Sequence, residues 1–207
     1  MNTTNRIGVL AFGSLIDDPG EELGPLIVDR IAGVMTPFAV EFARVSKTRG
    51  DSATLVPVDQ GGSPVAAVIL ELAPSADSRL AMDMIWRRET RAADKSRRYS
   101  RPLAPGPNTV LVEELRNFAG FDAVYYTRIG ATCESETPAQ LAERAVKSVR
   151  MDRKAEDGIT YLLNAKQFGI RTPKMAAYEA EILSSTNTAS LADAVVSAAR
   201  LGQCSDE

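Results

Sequence analysis

Thr137-Pro138-Ala139-Gln140 is where the chain changes character. A threonine that can accept from a backbone N–H, a proline at the first helical position and a glutamine three residues after the threonine make a capping box. Leu141, Ala145 and Val149 follow at helical spacing and predict the buried face of the helix it opens. The pattern stays helical from there. A second helix is expected from Ile159 to Phe168, stopping at Gly169. A third starts at Thr172-Pro173 and buries Met175, Tyr178 and Ile182, and a fourth opens at Ser190-Leu191-Ala192-Asp193. Asp152 to Gly158 fails the calcium-loop pattern, with Lys154 at its third position, and reads as a polar connection.

Before this boundary the chain reads as strands. Short apolar runs rich in β-branched and aromatic residues cover Ile7 to Phe12, Gly33 to Phe42, Ala53 to Val58, Val65 to Leu72, Thr109 to Leu115 and Ala123 to Ile129. Turn signals separate them, and the Gln60 to Pro64 stretch predicts a hairpin. One helix interrupts the strands, capped by Ser75 and running to about Ala92 with the apolar stripe Ala81, Met84 and Ile85. Strands followed by helices imply an α+β fold: a small mixed, mostly antiparallel curled sheet or barrel with flanking helices. One domain is expected over 1–207, with a strand-rich core over 1–134 and a helical extension over 135–207.

Composition narrows the chemistry. The 207 residues include no histidine, which excludes a Ser-His-Asp triad, a Cys-His pair and any His-ligated metal. A general acid or base must come from Asp, Glu, Lys, Tyr or Cys. Cys133 and Cys204 lie far apart and form neither a disulfide framework nor a thiolate metal site. The run from Ile7 to Ile16 is too short to span a membrane and lacks a signal-peptide cleavage site, so a cytoplasmic protein with no membrane partner is expected. A formal net charge of −3 argues against nucleic acid as partner.

Three features carry candidate chemistry. In Leu10-Ala11-Phe12-Gly13-Ser14-Leu15 an apolar strand runs into Gly-Ser, where backbone N–H groups can turn toward an anion; the plainer reading is a strand-ending turn. In Trp86-Arg87-Arg88-Glu89-Thr90, Glu89 sits one turn beyond Ile85 at the edge of the buried stripe, as a partly desolvated carboxylate or as a balance to its cationic neighbours. The basic stretch Arg87, Arg88, Arg91, Lys95, Arg97, Arg98 and Arg101 attracts anions or pairs with nearby acids. Asp17-Asp18, Glu21-Glu22 and Glu113-Glu114 lack the spacing of a metal loop and read as surface charge.

Taken in order, Phe12-Gly13-Ser14-Leu15 after the first strand, Arg88-Glu89 on the first helix and Tyr99 beyond it resemble the γ-glutamylcyclotransferase-like family. The resemblance continues in Ala53-Thr54-Leu55-Val56-Pro57-Val58 with its following Gly-Ser turn. It also covers Gly158-Ile159-Thr160-Tyr161-Leu162 leading to Phe168-Gly169-Ile170, which is similar to the glutathione-specific branch. It implies a small mixed β-barrel and a γ-glutamyl amine or peptide as small-molecule substrate, closed on itself to release 5-oxoproline and the free amine. Glu89 would be the catalytic acid/base, the loop Phe12, Gly13, Ser14 and Leu15 would hold substrate, Tyr99 would orient it, and no cofactor or metal would be needed. Phe12 stands where the family usually has tyrosine, and the basic stretch points to a more anionic or bulkier γ-glutamyl partner. The alternatives are a non-catalytic small-ligand-binding or interaction module on the same fold, and a nucleic-acid-associated protein using Arg87 to Arg101.

Overall fold

The computed structural model describes residues 5–149 and 156–203. They divide into two compact units. Residues up to Thr36 together with Ala66–Gly130 form the first, and Pro37–Val65 with the residues from Ala131 onward form the second. The strand-rich segment expected over 1–134 is therefore shared between the two, with unit boundaries near residues 36, 65 and 130 rather than at 134.

The first unit is built on a five-stranded sheet. Its centre is β1 (Ile7–Ala11), five residues that are all buried. A continuous apolar run suits a strand with neighbours on both sides. The other strands of this sheet are β2 (Ile27–Met35), β5 (Ala66–Leu72), β6 (Leu111–Phe118) and β7 (Phe121–Arg128), in the order β2-β5-β1-β7-β6. The β1–β7 pair is parallel and the others are antiparallel. Gly8 is required where β1 meets β5, because a Cβ there would lie 2.5 Å from the Ile69 side chain.

Of the curled sheet or barrel expected from sequence, the mostly antiparallel sheet forms but does not close into a barrel: among the described residues β2 and β6 stay at its edges. Register shifts at Ile27/Asp29 and Ile31/Val34 interrupt the pairing of β2, and Gly33 takes a left-handed φ of 77°. Such irregularities turn an edge away from further pairing. The strand expected from Gly33 to Phe42 is two strands, separated around Pro37, which has no N–H for a ladder. The Gln60 to Pro64 stretch makes no β4–β5 hairpin. It returns the chain to a single Val40–Ser63 bridge, with Gly62 close against the Val40 carbonyl.

Short α1 (Gly20–Leu23) and the longer α2 (Ser78–Thr90) complete this unit, with α2 packed on β1, β6 and β7. Asp77, not Ser75, caps α2, its carboxylate accepting the Leu80 N–H at 2.7 Å. The helix ends on Arg91 at φ 52°, slightly before the expected Ala92. Asp83 on α2 is fully buried and accepts from the Tyr99 N–H at 2.6 Å and from Arg98 at 2.9 Å, with Arg79 at 3.4 Å. Burial alone would raise this carboxyl, but those bonds and charges outweigh it and hold it below its ordinary range. A depressed carboxyl stabilises the fold above its unfolded pKa near 4 and loses that contribution as pH falls through its folded value. Urea unfolding followed downward from pH 7 should therefore show stability declining below about pH 4, and a smaller decline in Asp83→Asn.

The second unit pairs a hairpin with helices. β3 (Val40–Ser46) and β4 (Ser52–Pro57) form a separate two-stranded sheet, accompanied by α3 (Pro138–Val149), α4 (Gly158–Gln167), α5 (Met175–Thr186) and α6 (Leu191–Gln203). The capping box forms as read: Gln140 Oε1 accepts the Thr137 N–H at 2.8 Å, and the Thr137 hydroxyl accepts the Gln140 N–H at 3.4 Å. The buried side of α3 includes Leu141 and Ala145, together with Ala142, Val146 and Ser148, whereas Val149 is half-buried. Asp157 caps α4, and the chain turns at Gly169, φ 77°. The stretch 150–155, which holds most of the expected polar connection, and Cys204 lie outside the described residues.

Phe42, Tyr161 and Tyr178 meet edge to face in this core, with centroid separations of 6.0 and 5.4 Å. Tyr178 is fully buried, and its hydroxyl has no hydrogen-bond partner among the described residues. Burial raises that hydroxyl well above its usual range. Removing an unsatisfied buried polar atom without changing the ring's shape costs nothing in partners lost, so Tyr178→Phe should match or exceed wild-type stability, by up to about 1 kcal/mol, in thermal unfolding.

Candidate functional site

The loop and the acid singled out from sequence both belong to the first unit. Phe12 is extended, φ −139°, and half-buried; Gly13 turns the chain at φ 69°, and Gly13–Leu15 form a single 3-10 turn. Only glycine adopts that φ without steric cost. The Ile16 N–H donates to Gly13 O at 3.1 Å and the Asp18 N–H to Ser14 O at 2.9 Å, which closes the turn. As the first residues of that turn, Gly13, Ser14 and Leu15 donate to none of its carbonyls. Gly13 and Leu15 are buried, while Ser14 keeps partial access to solvent.

Glu89 lies in the last turn of α2 with its side chain 28% exposed. Its carboxylate accepts from Arg88 Nη1 at 2.5 Å. The same guanidinium reaches the loop: Arg88 Nη2 lies 3.5 Å from Ser14 Oγ and 2.7 Å from the Asp18 carbonyl, to which Nε also donates at 3.1 Å. One side chain thus touches both Ser14 and Glu89. Gly20 makes room for it: at φ 83° it presents no Cβ, which would otherwise lie 3.1 Å from Arg88 Cγ.

Sequence reasoning singled out Arg88 as part of a motif and missed this bridging. The available signal was the Asp17-Asp18-Pro19-Gly20 turn, whose carbonyl and glycine receive the arginine. Its neighbour Arg87 is 4% exposed and clamps α1, donating from Nε and Nη2 to the two Glu22 oxygens at 2.9 Å each and from Nη1 to the Arg97 carbonyl at 2.7 Å. Adjacent arginines therefore fasten adjacent parts of the loop to the end of one helix.

Tyr99 occupies a different position from the one its expected role requires. It is buried, and its hydroxyl accepts from the Val112 N–H at 3.1 Å and lies 3.4 Å from the Val112 carbonyl. The phenol is bound to the backbone of β6, and its ring lies 6.4 Å from that of Trp86. Tyr99 supports the helix bearing Glu89, since its own N–H is the one bound by Asp83.

Much of the basic stretch is neutralised locally. Arg98 pairs with Asp83, Arg101 binds both oxygens of Glu113 at 2.8 and 2.9 Å, Lys95 lies 3.7 Å from Glu21, and Arg97 stacks over Trp86 at 5.0 Å. This is the acid-paired alternative for that segment. Among the described residues no three acidic or cysteine side chains converge to hold a metal ion, and no helix is long and apolar enough to cross a membrane. Cys133 is buried, and burial pushes its thiol up to about 11.

A scan of the chain against protein-family models finds no match, and a search of curated proteins finds none either.

Proposed function

We propose that the protein is a γ-glutamylcyclotransferase-like enzyme that cleaves a γ-glutamyl amine or peptide by intramolecular cyclisation, with Glu89 as general acid/base. The observation that carries this reading is the Arg88 guanidinium in contact with both Glu89 and Ser14. That contact puts a candidate proton acceptor and the Gly-Ser turn against one guanidinium, which is the juxtaposition the reaction needs. The α+β class and the mostly antiparallel sheet agree with this reading, while the open sheet departs from the family's small barrel, and the reading places the protein in the cytosol with reduced thiols.

Glu89 accepts a proton from the substrate α-ammonium. The freed amine attacks the γ-carbonyl carbon, forming the ring C–N bond, and the loop N–H groups of Gly13, Ser14 and Leu15 stabilise the oxyanion. As the bond to the leaving amine breaks, Glu89 returns the proton to that nitrogen, then takes the remaining extra proton from the ring nitrogen and passes it to the released amine, giving 5-oxoproline, the amine as its ammonium ion and Glu89 again ionised. The attack is intramolecular, so the main contribution of the site is to hold the chain of the γ-glutamyl group in its cyclic conformer. Phe12 supplies an apolar wall and no hydroxyl to the site.

The second reading, a binding module on the same fold, draws on the Tyr99 hydroxyl being committed to Val112 and on the missing hydroxyl at Phe12. Mass-spectrometric detection of 5-oxoproline after incubation with a panel of γ-glutamyl peptides and amines separates the two. Product from at least one member is expected. Saturable binding of a panel member without product would replace the enzyme with the module.

A further inference from the structure

The arginines near the end of α2 are not equivalent. Arg87 donates to two carboxylate oxygens and a carbonyl, one bond from each of its nitrogens, and is almost completely buried. Arg88 is anchored differently. Its Nε and Nη2 share the neutral Asp18 carbonyl, which fixes the guanidinium plane, and its stem lies against Gly20. The terminal edge, Nη1 and Nη2, meets one oxygen of Glu89 and, at 3.5 Å, the Ser14 hydroxyl, a distance at the limit of a hydrogen bond. The Asp18 carboxylate is 3.7 Å away and 79% exposed. That edge has the geometry of a two-pronged carboxylate receptor held by a single carboxylate oxygen.

The Glu89 partner is also exchangeable in kind. Side chains one residue apart on a helix do not face each other, so Arg88 and Glu89 meet only by bending toward a common point. We infer that this ion pair is a receptor for an α-amino-acid head group: the ligand α-carboxylate replaces Glu89 on Arg88 and Ser14, and the ligand α-ammonium replaces Arg88 on Glu89. Inserting a zwitterion turns one ion pair into two with alternating charge, so no charge is left uncompensated. The inference rests on the proposed γ-glutamyl reading and deepens it. Arg88 becomes the residue that demands a free α-carboxylate, and its release of Glu89 puts the carboxylate beside the ammonium it must deprotonate.

Titration calorimetry with L-glutamate tests this without turnover, because L-glutamate has no γ-amide to cleave. The comparison ligand is L-isoglutamine, which keeps the ammonium and γ-carboxylate but has an amide in place of the α-carboxylate. Wild type should bind L-glutamate at least about tenfold more tightly than L-isoglutamine. Arg88→Gln should erase that preference, and Arg88→Lys should keep part of it. Equal affinity of wild type for the two ligands, or no binding of L-glutamate at millimolar concentration, overturns the inference. The wild-type comparison stands even where a variant fails to fold. Carboxylate-dependent binding with no 5-oxoproline from any γ-glutamyl compound would sink the cyclotransfer reading and leave this one. 5-oxoproline formed equally fast from γ-glutamyl α-amides would do the reverse.

Discussion

Glu89→Gln should lower 5-oxoproline release by about 10²- to 10⁴-fold, the contribution typical of a positioned general acid/base. Glutamine matches glutamate in size and can still accept a bond from Arg88 Nη1 through its amide oxygen, so the contact with the Ser14 loop has a route to survive. What it lacks is the capacity to take the α-ammonium proton and return it to the leaving amine. Because both transfers pass through one carboxylate, the loss should appear in kcat more than in KM. Circular dichroism and thermal unfolding of the variant should match wild type, since Glu89 is partly exposed and in a last helical turn. Product release at the wild-type rate would remove Glu89 from the mechanism.

In the second unit, Glu41→Ala should cost about 3 kcal/mol of stability, read as a shift in the urea midpoint. Glu41 is 2% exposed on β3, and both of its carboxylate oxygens are used. Oε1 accepts from the Phe42 N–H at 2.7 Å and from the Thr172 hydroxyl at 2.6 Å, while Oε2 accepts from the Lys174 N–H at 3.0 Å. One buried anion thus ties β3 to the chain entering α5. Truncation leaves buried donors without acceptors, which is more costly than deleting both sides of a bond. Glu41→Gln, which keeps one acceptor oxygen, should fall between alanine and wild type. Amides at the start of α5 should lose hydrogen-exchange protection in Glu41→Ala before those of α6.

Elements whose cause is local were legible in the sequence. The Thr137–Gln140 capping box, the stop at Gly169 and the apolar run of β1 each depend on a few adjacent residues, and each forms as read. Where two local signals competed, position slipped: Asp77 outcompetes Ser75 as the cap of α2 because its side chain is the one that meets the Leu80 N–H. β2 begins at Ile27, earlier than expected, because Asp29 and Arg30 hide a strand whose outer side is exposed. An edge strand shows little of the apolar alternation that marks a half-buried one.

Pairing across long separations was not legible. Nothing in Gln60 to Pro64 distinguishes a hairpin turn from a loop that leaves β4 with β3 and sends β5 to β1 and β2. The candidate site shows the same division. Gly13, Ser14 and Glu89 stand out by residue type and by local context, and the absence of histidine leaves a carboxylate as the natural proton carrier. Their meeting through Arg88 depends on α2 lying beside a loop about seventy residues earlier in the chain. So does the commitment of the Tyr99 hydroxyl to Val112. Residue chemistry and short-range geometry are written in the order of the amino acids, whereas partner choice is settled when distant segments compete for the same buried donors, acceptors and apolar surface, and that competition is resolved in three dimensions.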